Sequence, residues 1–503
     1  MTGKTLAERE CHQNRWQFRK VFRYQYTITE RGVSGPRGWT SLVLGGWRLS
    51  HCPDLPVTKL ILSGGKTVGL LLGYAISPEG RMLGARYRLP ASPNDADCLT
   101  QVETQIAELA GRYVVLLAQG KGARIYPDPT ASLGPVYNPQ ERRAAASTLL
   151  ALTDDLTDNP EVPADEVAAG RTRYLFGHTA DARVRRAAPN HYLDLADFTE
   201  HRHWPGPDTS FDPGERNHKH LAREIGAKLQ SNMLALTGRH ACAMGVTGGT
   251  DSRLLLATMR NDLGRIRDYF VYQTNWSNTF DLTAAEEIAE VTGIPLQTIS
   301  RDDAAFRTAF SGDRFDTVLA QRRLRGGCEP SSADAESIRA MQQISDNRLI
   351  LRGNVAEMTR AIRWSRAVMS NPHDTAHALA ALFVLPDSSG PHYAFWQDRF
   401  ETWKAALPDA TIPRIYDILH AELWVPHANS AQYIREHRHF LINPFNDRRL
   451  IHLTAMVEPP VRKNRRLVKR IIRDYAPDLR SIDYKDDRIR AQRKQKAERA
   501  KAA

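Results

Sequence analysis

Apolar and polar positions alternate along this chain in two rhythms. Between about 38 and 205, short apolar and β-branched runs are broken every few residues by Gly, Pro and Asp. Examples are 39–44, 60–62, 68–75, 113–118 and 124–126. Such runs predict strands joined by turns. Gly64-Gly65-Lys66-Thr67 reads as a hairpin turn, since it lacks the upstream glycine of a GxxxxGK[ST] phosphate loop. Residues 205–213, with Gly-Pro-Asp and Pro-Gly, read as a linker. From His218 the rhythm lengthens. A helix is predicted at 221–236, a strand at 241–246 and a helix at 251–262. A strand at 269–274, a helix at 282–292 and a strand at 296–299 follow. Strand and helix alternating at this spacing predict a parallel, doubly wound sheet. Residues 335–475 read as mostly helical around a short strand at 348–351.

The most informative stretch lies where the second rhythm begins. Thr247-Gly248-Gly249-Thr250-Asp251-Ser252 joins the apolar run 241–246 to the helical run after it. Paired glycines let a backbone approach a ligand closely. The N–H groups and dipole of the helix start then favour an anion. Thr247 and Ser252 add hydroxyl donors, and the Asp251 carboxylate can hold Mg²⁺ against phosphate. The pattern predicts a pyrophosphate cradle and points to ATP. Without a ligand, the same residues would serve as a helix cap. Gln273 and Thr274 end the next strand, where the nucleotide base of such a sheet is expected.

Composition narrows the class. The chain has 503 residues, 42% hydrophobic and 25% charged, an ordinary globular balance. No apolar run of about 18 residues occurs, so no membrane span is expected. Met1 to Arg19 has no signal-peptide core, and the 5 cysteines form neither CxxC pairs nor a disulfide framework. A cytoplasmic protein is expected. The net charge of +12 gathers at 462–473 and 485–501. That tail reads as a solvated helix or as a surface for acidic partners. Its sparse aromatics argue against single-stranded nucleic acid. His437 with His439, and His201 with His203, lack the further ligands of a zinc site.

The glycine loop resembles the SGGxDS loop of N-type ATP pyrophosphatases. Further segments resemble the asparagine synthetase family. Asp281 with 284–293 is similar to its "D…A…iA…G" stretch. Leu351-Arg352-Gly353-Asn354-Val355-Ala356-Glu357 is similar to its SGxGxDE turn, and Asn443 to Leu450 to its PFLDxxL segment. Lys469, Arg473 and Lys485 resemble its late basic residues. Val184-Arg185-Arg186, Pro189 to Leu193 and Trp204 are similar to its "VrrlpPGhyl…W". Residues 110–113 and 128–137 resemble strands of its N-terminal domain.

The resemblance implies an α/β and α+β chain of two domains. The first is a degenerate Ntn-type β-sandwich flanked by helices. The second is a doubly wound parallel sheet with a large helical extension. The expected boundaries are an extension at 1–37, the glutaminase-like domain at 38–205, a linker at 206–217, the synthetase domain at 218–485 and a basic tail at 486–503. Thr2 stands where glutamine-using members carry their cysteine, which implies no glutaminase activity. A Thr2 nucleophile is the alternative. Glu357 replaces an aspartate, Val355 a glycine and Thr247 a serine.

By this resemblance Thr247, Gly248, Gly249, Asp251, Ser252, Arg253, Thr274 and Gly353 bind ATP. Asp251 and Glu357 share Mg²⁺, and Glu357, Lys469 and Lys485 act in catalysis. Tyr433 with Glu436 is a weak match to the Tyr–Glu pair of β-lactam-forming relatives. The implied reaction adenylates a small-molecule or peptide carboxylate. The amine comes from ammonia, a partner or the substrate itself, as in lasso-peptide or β-lactam cyclisation. A homodimer stays open. The rival readings are an RNA-modifying ATP pyrophosphatase and a non-catalytic nucleotide-binding paralogue.

Overall fold

The strand-rich half closes into two stacked sheets. In the computed structural model, which describes residues 4–120, 122–273, 275–309, 312–327, 332–382 and 392–502, the first sheet is antiparallel and six-stranded. Its order is Arg185–Arg186, Val136–Asn138, Arg143–Ala145, Tyr26–Glu30, Trp47–His51, Thr40–Leu44. The second has seven strands, all antiparallel neighbours except the edge strand Arg86–Arg88, which pairs parallel. Gly64-Gly65-Lys66 forms the turn of its hairpin Val57–Ile61 and Thr67–Ile76.

Period-2 side chains build the layers. Leu70, Leu72, Val114 and Leu116 face inward onto Tyr26, Ile28 and Leu49 of the first sheet. Leu71, Tyr113, Val115 and Leu117 face outward onto Val102 and Ile106 of the helix Cys98–Ala107. The helix Leu6–Gln13 covers the other outer face with Leu6, Ala7 and Cys11. The result is a four-layer helix–sheet–sheet–helix sandwich. Residues ahead of 38 are therefore built into this unit, and Tyr26–Glu30 is an interior strand. Its core pair, Tyr26 and Ile28, is too short a signal to stand out against the polar residues before it.

The second half holds a five-stranded sheet whose neighbours are all parallel. Its order is Leu296–Ser300, Asp268–Gln273, Cys242–Gly245, Leu349–Leu351, Phe440–Ile442. The chain thus starts in the middle, works outward one way, then returns to the other side. The reversal falls between Cys242–Gly245 and Leu349–Leu351, where such sheets open a crevice at the carboxyl ends of their strands. Around 361–424 a separate aromatic cluster forms the helical extension, with Trp364, Trp396, Phe400 and Tyr416 buried.

The segment Asn443 to Leu450 fastens the two halves. Asn446 Nδ2 donates to Gly111 O and to Asp128 Oδ1, each at 2.7 Å. Arg448 reaches Asn190 Oδ1 at 3.0 Å and Pro127 O at 3.3 Å. Asp447 caps the helix Arg448–Met456 and accepts from Asn232 at 3.0 Å. The charged tail is a helix, Lys485–Ala502, exposed through 491–499. Among the described residues, no helix is long and apolar enough to cross a membrane.

Candidate functional site

Two loops meet at the reversal point of the parallel sheet. The first leaves the strand Cys242–Gly245 and enters the helix Thr250–Thr258, with Gly249 at the N-cap. No side chain caps this helix start. The N–H groups of its first turn are therefore left for a ligand or water. The second loop leaves Leu349–Leu351 and enters the short 3₁₀ turn Ala356–Arg360. A Cβ on Gly353 would lie 3.0 Å from both the backbone carbon and the Cβ of Asp251. Only glycine permits this approach, and it brings Glu357 to the same crevice as Asp251.

Val355 carries the strain of the second loop. Its φ is 70°, and its side chain is fully buried. A β-branched residue at positive φ is a backbone outlier, costing on the order of 1–3 kcal/mol. The local backbone thus adopts the glycine-like conformation that the altered sequence no longer favours.

The two carboxylates are held differently. Arg360 grips Asp251 bidentately, Nε to Oδ1 at 3.0 Å and Nη2 to Oδ2 at 2.6 Å. Glu357 Oε2 lies 3.7 Å from His420 Nε2, and neither atom has a hydrogen-bond partner among the described residues. Arg363 Nε donates to His420 Nδ1 at 3.3 Å. Guanidinium can only donate, so Nδ1 accepts and the proton of the neutral ring is on Nε2, facing Glu357. Burial raises the Asp251 pKa from 3.8 to about 6, with Glu357 adding to the rise and Arg360 opposing it. Burial also works against the Glu357 charge, but His420 and Arg360 outweigh it and lower the pKa. Burial holds the His420 pKa below its ordinary value.

These residues suit Mg²⁺ in donor type. Two hard carboxylates face one crevice, and Glu357 Oε2 is an orphaned acceptor. Asp251 can join only when Arg360 lets go. No cluster of three or more His, Cys, Asp or Glu occurs among the described residues, so phosphate oxygens and water would complete the shell.

The structure joins the expected residues unevenly. Thr247, Asp251, Ser252 and Gly353 line the crevice around the first loop, and Glu357 faces it from the second. Thr247 Oγ1 and Ser252 Oγ bond each other at 2.7 Å. The glycine N–H groups are not free donors, contrary to expectation. Gly248 N donates to Asp281 Oδ1 at 3.1 Å and Gly249 N to Thr247 Oγ1 at 3.2 Å. Lys485 is drawn to the loop: its N–H donates to Gly248 O at 2.9 Å, and its Nζ pairs with Asp281. A Cβ on Gly248 would meet Lys485 Cβ at 3.0 Å. Lys485 therefore braces the loop from behind.

Arg253 corrects the reading most. It is buried, donates to Ile482 O and, at 3.1 Å, to Asp483 O, and stacks over Tyr484. It pins the chain before Lys485 and is unavailable to phosphate. Lys469 lies exposed on the helix Arg466–Tyr475, whose buried face packs inward through Leu467, Val468 and Ile471. The structure gives its ammonium no hydrogen bond or ion pair among the described residues. Thr274 lies outside the described residues, as does Thr2; Gln273, beside Thr274, donates to Thr279 at 3.0 Å. Tyr433 bonds Asn443, whereas Glu436 is held by Arg322 at 2.7 Å, so they form no dyad. His439 is buried against Met341 O at 3.1 Å.

Sequence reasoning missed Arg360, Arg363 and His420. Arg360 is one of 69 Lys and Arg residues, and nothing local marks it. His420 opens a run of wide π-helical turns, His420–Trp424 and Pro426–Ser430, a distortion associated with functional sites. Spacing alone does not reveal such turns.

No family model and no curated protein matches the chain. Among solved structures, NMN synthetase from Francisella tularensis is similar at 14% identity, covering 44% of this chain and 94% of that one, with a TM-score of 0.19. The U34-tRNA thiolase from Methanococcus maripaludis gives 13% identity, 43% and 77% coverage, and a TM-score of 0.19. Glutamine phosphoribosylpyrophosphate amidotransferase from B. subtilis gives 12% identity, 69% and 72% coverage, and a TM-score of 0.21. All three are enzymes by their titles, and at these scores the likeness carries no argument.

Proposed function

We propose that this protein is an ATP-dependent, AMP-forming synthetase that activates a carboxylate for attack by ammonia or an amine. The observation that carries this reading is the meeting of two loops at the sheet's reversal point. They place Asp251, Glu357 and an uncapped helix start in one crevice. Adenylation leaves charge on pyrophosphate, and preorganised donors aimed at that charge are the strongest aid a protein can supply. The first-turn N–H groups of Thr250–Thr258 and the hydroxyls of Thr247 and Ser252 would supply them. Asp251 and Glu357 would hold Mg²⁺, which neutralises phosphate charge when bound. Arg360, released from Asp251, would carry its charge within the same crevice. Lys485 and Asp281 would keep the loop in shape.

The sandwich would serve as scaffold without glutaminase activity. The strand Tyr26–Glu30 is preceded by folded helices, so its first residue presents no free α-amine for an Ntn-type nucleophile. Glutamate release from glutamine should be undetectable, and turnover abolished by Thr2→Ala would overturn this part.

A second reading has its own observation. Arg360 already neutralises Asp251, as in a nucleotide-binding paralogue that does no chemistry. Pyrophosphate release decides between them, measured with Mg²⁺ and panels of amino acids, peptides and amines. Release that is lost in Asp251→Asn supports the synthetase. ATP binding with no release across the panels supports the paralogue.

A further inference from the structure

Behind His420 the same run of π-turns lines a second cavity of about 430 Å³, between the sandwich and the helical extension. That volume falls within the roughly 300–1,000 Å³ of small-ligand sites. His420 faces Glu357, while Glu422, two residues on, faces this cavity. Trp424 continues the wall, with Arg363 stacked 3.9 Å over its ring. The cavity and the two-loop crevice are thus opposite sides of one helical wall.

Arginines outnumber carboxylates in the lining of this cavity. Arg185, Arg186, Arg202 and Arg399 line it against only Glu200 and Glu422. Both carboxylates are already engaged. Glu422 accepts from Arg202 at 2.6 and 3.0 Å, from Trp403 Nε1 at 2.9 Å and from Asn190 at 3.1 Å. Glu200 accepts from Tyr137 at 2.6 Å and from the Ala188 N–H at 2.7 Å. Arg185, by contrast, donates to a neutral group, Phe176 O at 3.1 Å, and has no ion pair among the described residues. Arg399 reaches the half-exposed Glu161 at 3.3 Å and the more exposed Asp398 at 3.8 Å, both solvent-screened pairs that a ligand can displace. Phe176, Trp403 and Leu423 supply apolar wall. A guanidinium beside an aromatic surface suits a carboxylate carried on an apolar body.

We propose that this cavity recognises an acidic side chain next to an aromatic or apolar one in a peptide. The peptide is the carboxylate substrate, and its reacting carboxylate is a second one, not the side chain that the cavity holds; this last clause rests on the synthetase reading. Arg185 and Arg399 select the acidic side chain, and Phe176 and Trp403 receive its neighbour.

Calorimetric titration of the full chain tests this with three probes: acetyl-Phe-Glu-amide, acetyl-Phe-Gln-amide and free glutamate. The Glu peptide should bind at least tenfold more tightly than either other probe. The double variant Arg185→Gln with Arg399→Gln should erase the Glu-over-Gln preference. Arg185→Glu with Arg399→Glu should transfer it to acetyl-Phe-Lys-amide. Both arginines lie at the cavity rim, so folding should persist, and a thermal melt checks it. Equal binding of the Glu and Gln peptides, no binding of either, or an unchanged preference in the variants overturns the proposal. Glutamate binding as tightly as the Glu peptide overturns the peptide assignment in favour of a free acid. Charge-selective binding without pyrophosphate release from Phe-Glu peptides that carry a free C-terminal carboxylate supports the pocket and sinks the synthetase reading. Release without selective binding does the reverse.

Discussion

Two aspartate–arginine pairs flank the second loop, and their characters are opposite. Asp417 and Arg462 meet bidentately at 2.7 and 2.6 Å, with side chains 3% and 0% exposed. Arg462 also donates to Val457 O at 2.7 Å and to Met358 O, in the loop itself, at 2.8 Å. Asp251 and Arg360 meet with similar geometry but remain 20% and 19% exposed, beside an uncapped helix start and an orphaned Glu357 oxygen. The first pair is closed, because the arginine spends its donors on fixed protein acceptors and has nothing to gain by moving. The second is open to exchange, because a polyphosphate can take the arginine and a cation can take the aspartate. Ion pairs of one chemistry thus divide into scaffold and site by what surrounds them.

The sharpest way to break this comparison is Arg462→Ala. It leaves Asp417 buried without a counter-charge, and removing one partner of such a pair costs about 3–5 kcal/mol. A urea melt should show that loss; a loss below about 1 kcal/mol would mean the pair is not closed. Asp251→Asn keeps the shape and removes the charge at the open pair. Pyrophosphate release should fall about a hundredfold, near 2.7 kcal/mol of barrier, with no loss of stability in the melt. Gly353→Ala tests the loop contact that defines the site. Its methyl would press on Asp251 at 3.0 Å, and overpacking of this kind costs about 1–3 kcal/mol. Release should fall further than stability alone explains.

Asp251 also makes the open pair sensitive to pH. Its folded-state pKa is raised, from 3.8 to about 6. Its contribution to stability is therefore fully present below 3.8 and lost as pH rises through about 6. The stability of wild type relative to Asp251→Asn should decline across that window and level off above it. Binding of Mn²⁺, used as a probe, should strengthen over the same range. The smallest expected effect is Arg360→Gln. Losing this partly exposed pair should cost no more than about 1 kcal/mol. Mn²⁺ affinity without nucleotide should rise several-fold, because Asp251 is released; an unchanged affinity would show that Arg360 does not mask it.

Much of the fold was legible before the structure. The apolar run 68–75 is the strand it predicts, within Thr67–Ile76, and the strand–glycine–helix pattern at 241–259 located the crevice. Less was legible in the site. Arg253 follows Ser252 directly and invites a phosphate role. Yet the helix turns it about 100° away from Ser252, onto the carbonyls of residues 482 and 483. Lys485 carries a loop-bracing role that its place in a basic run concealed. The strand Tyr26–Glu30 was hidden by its brevity, although it is central to its sheet.

By itself the sequence determined the local backbone chemistry: which turn takes paired glycines, and where strand and helix alternate. These follow from propensities over a few residues, which spacing records. Only the tertiary structure decided which charges meet. Arg360 finds Asp251 from 109 positions away, and His420 faces Glu357 from a π-helical wall. No local pattern records such partners. Burial and the low polarity around them, not neighbouring residues, select which arginine remains with a carboxylate and which cavity is left cationic.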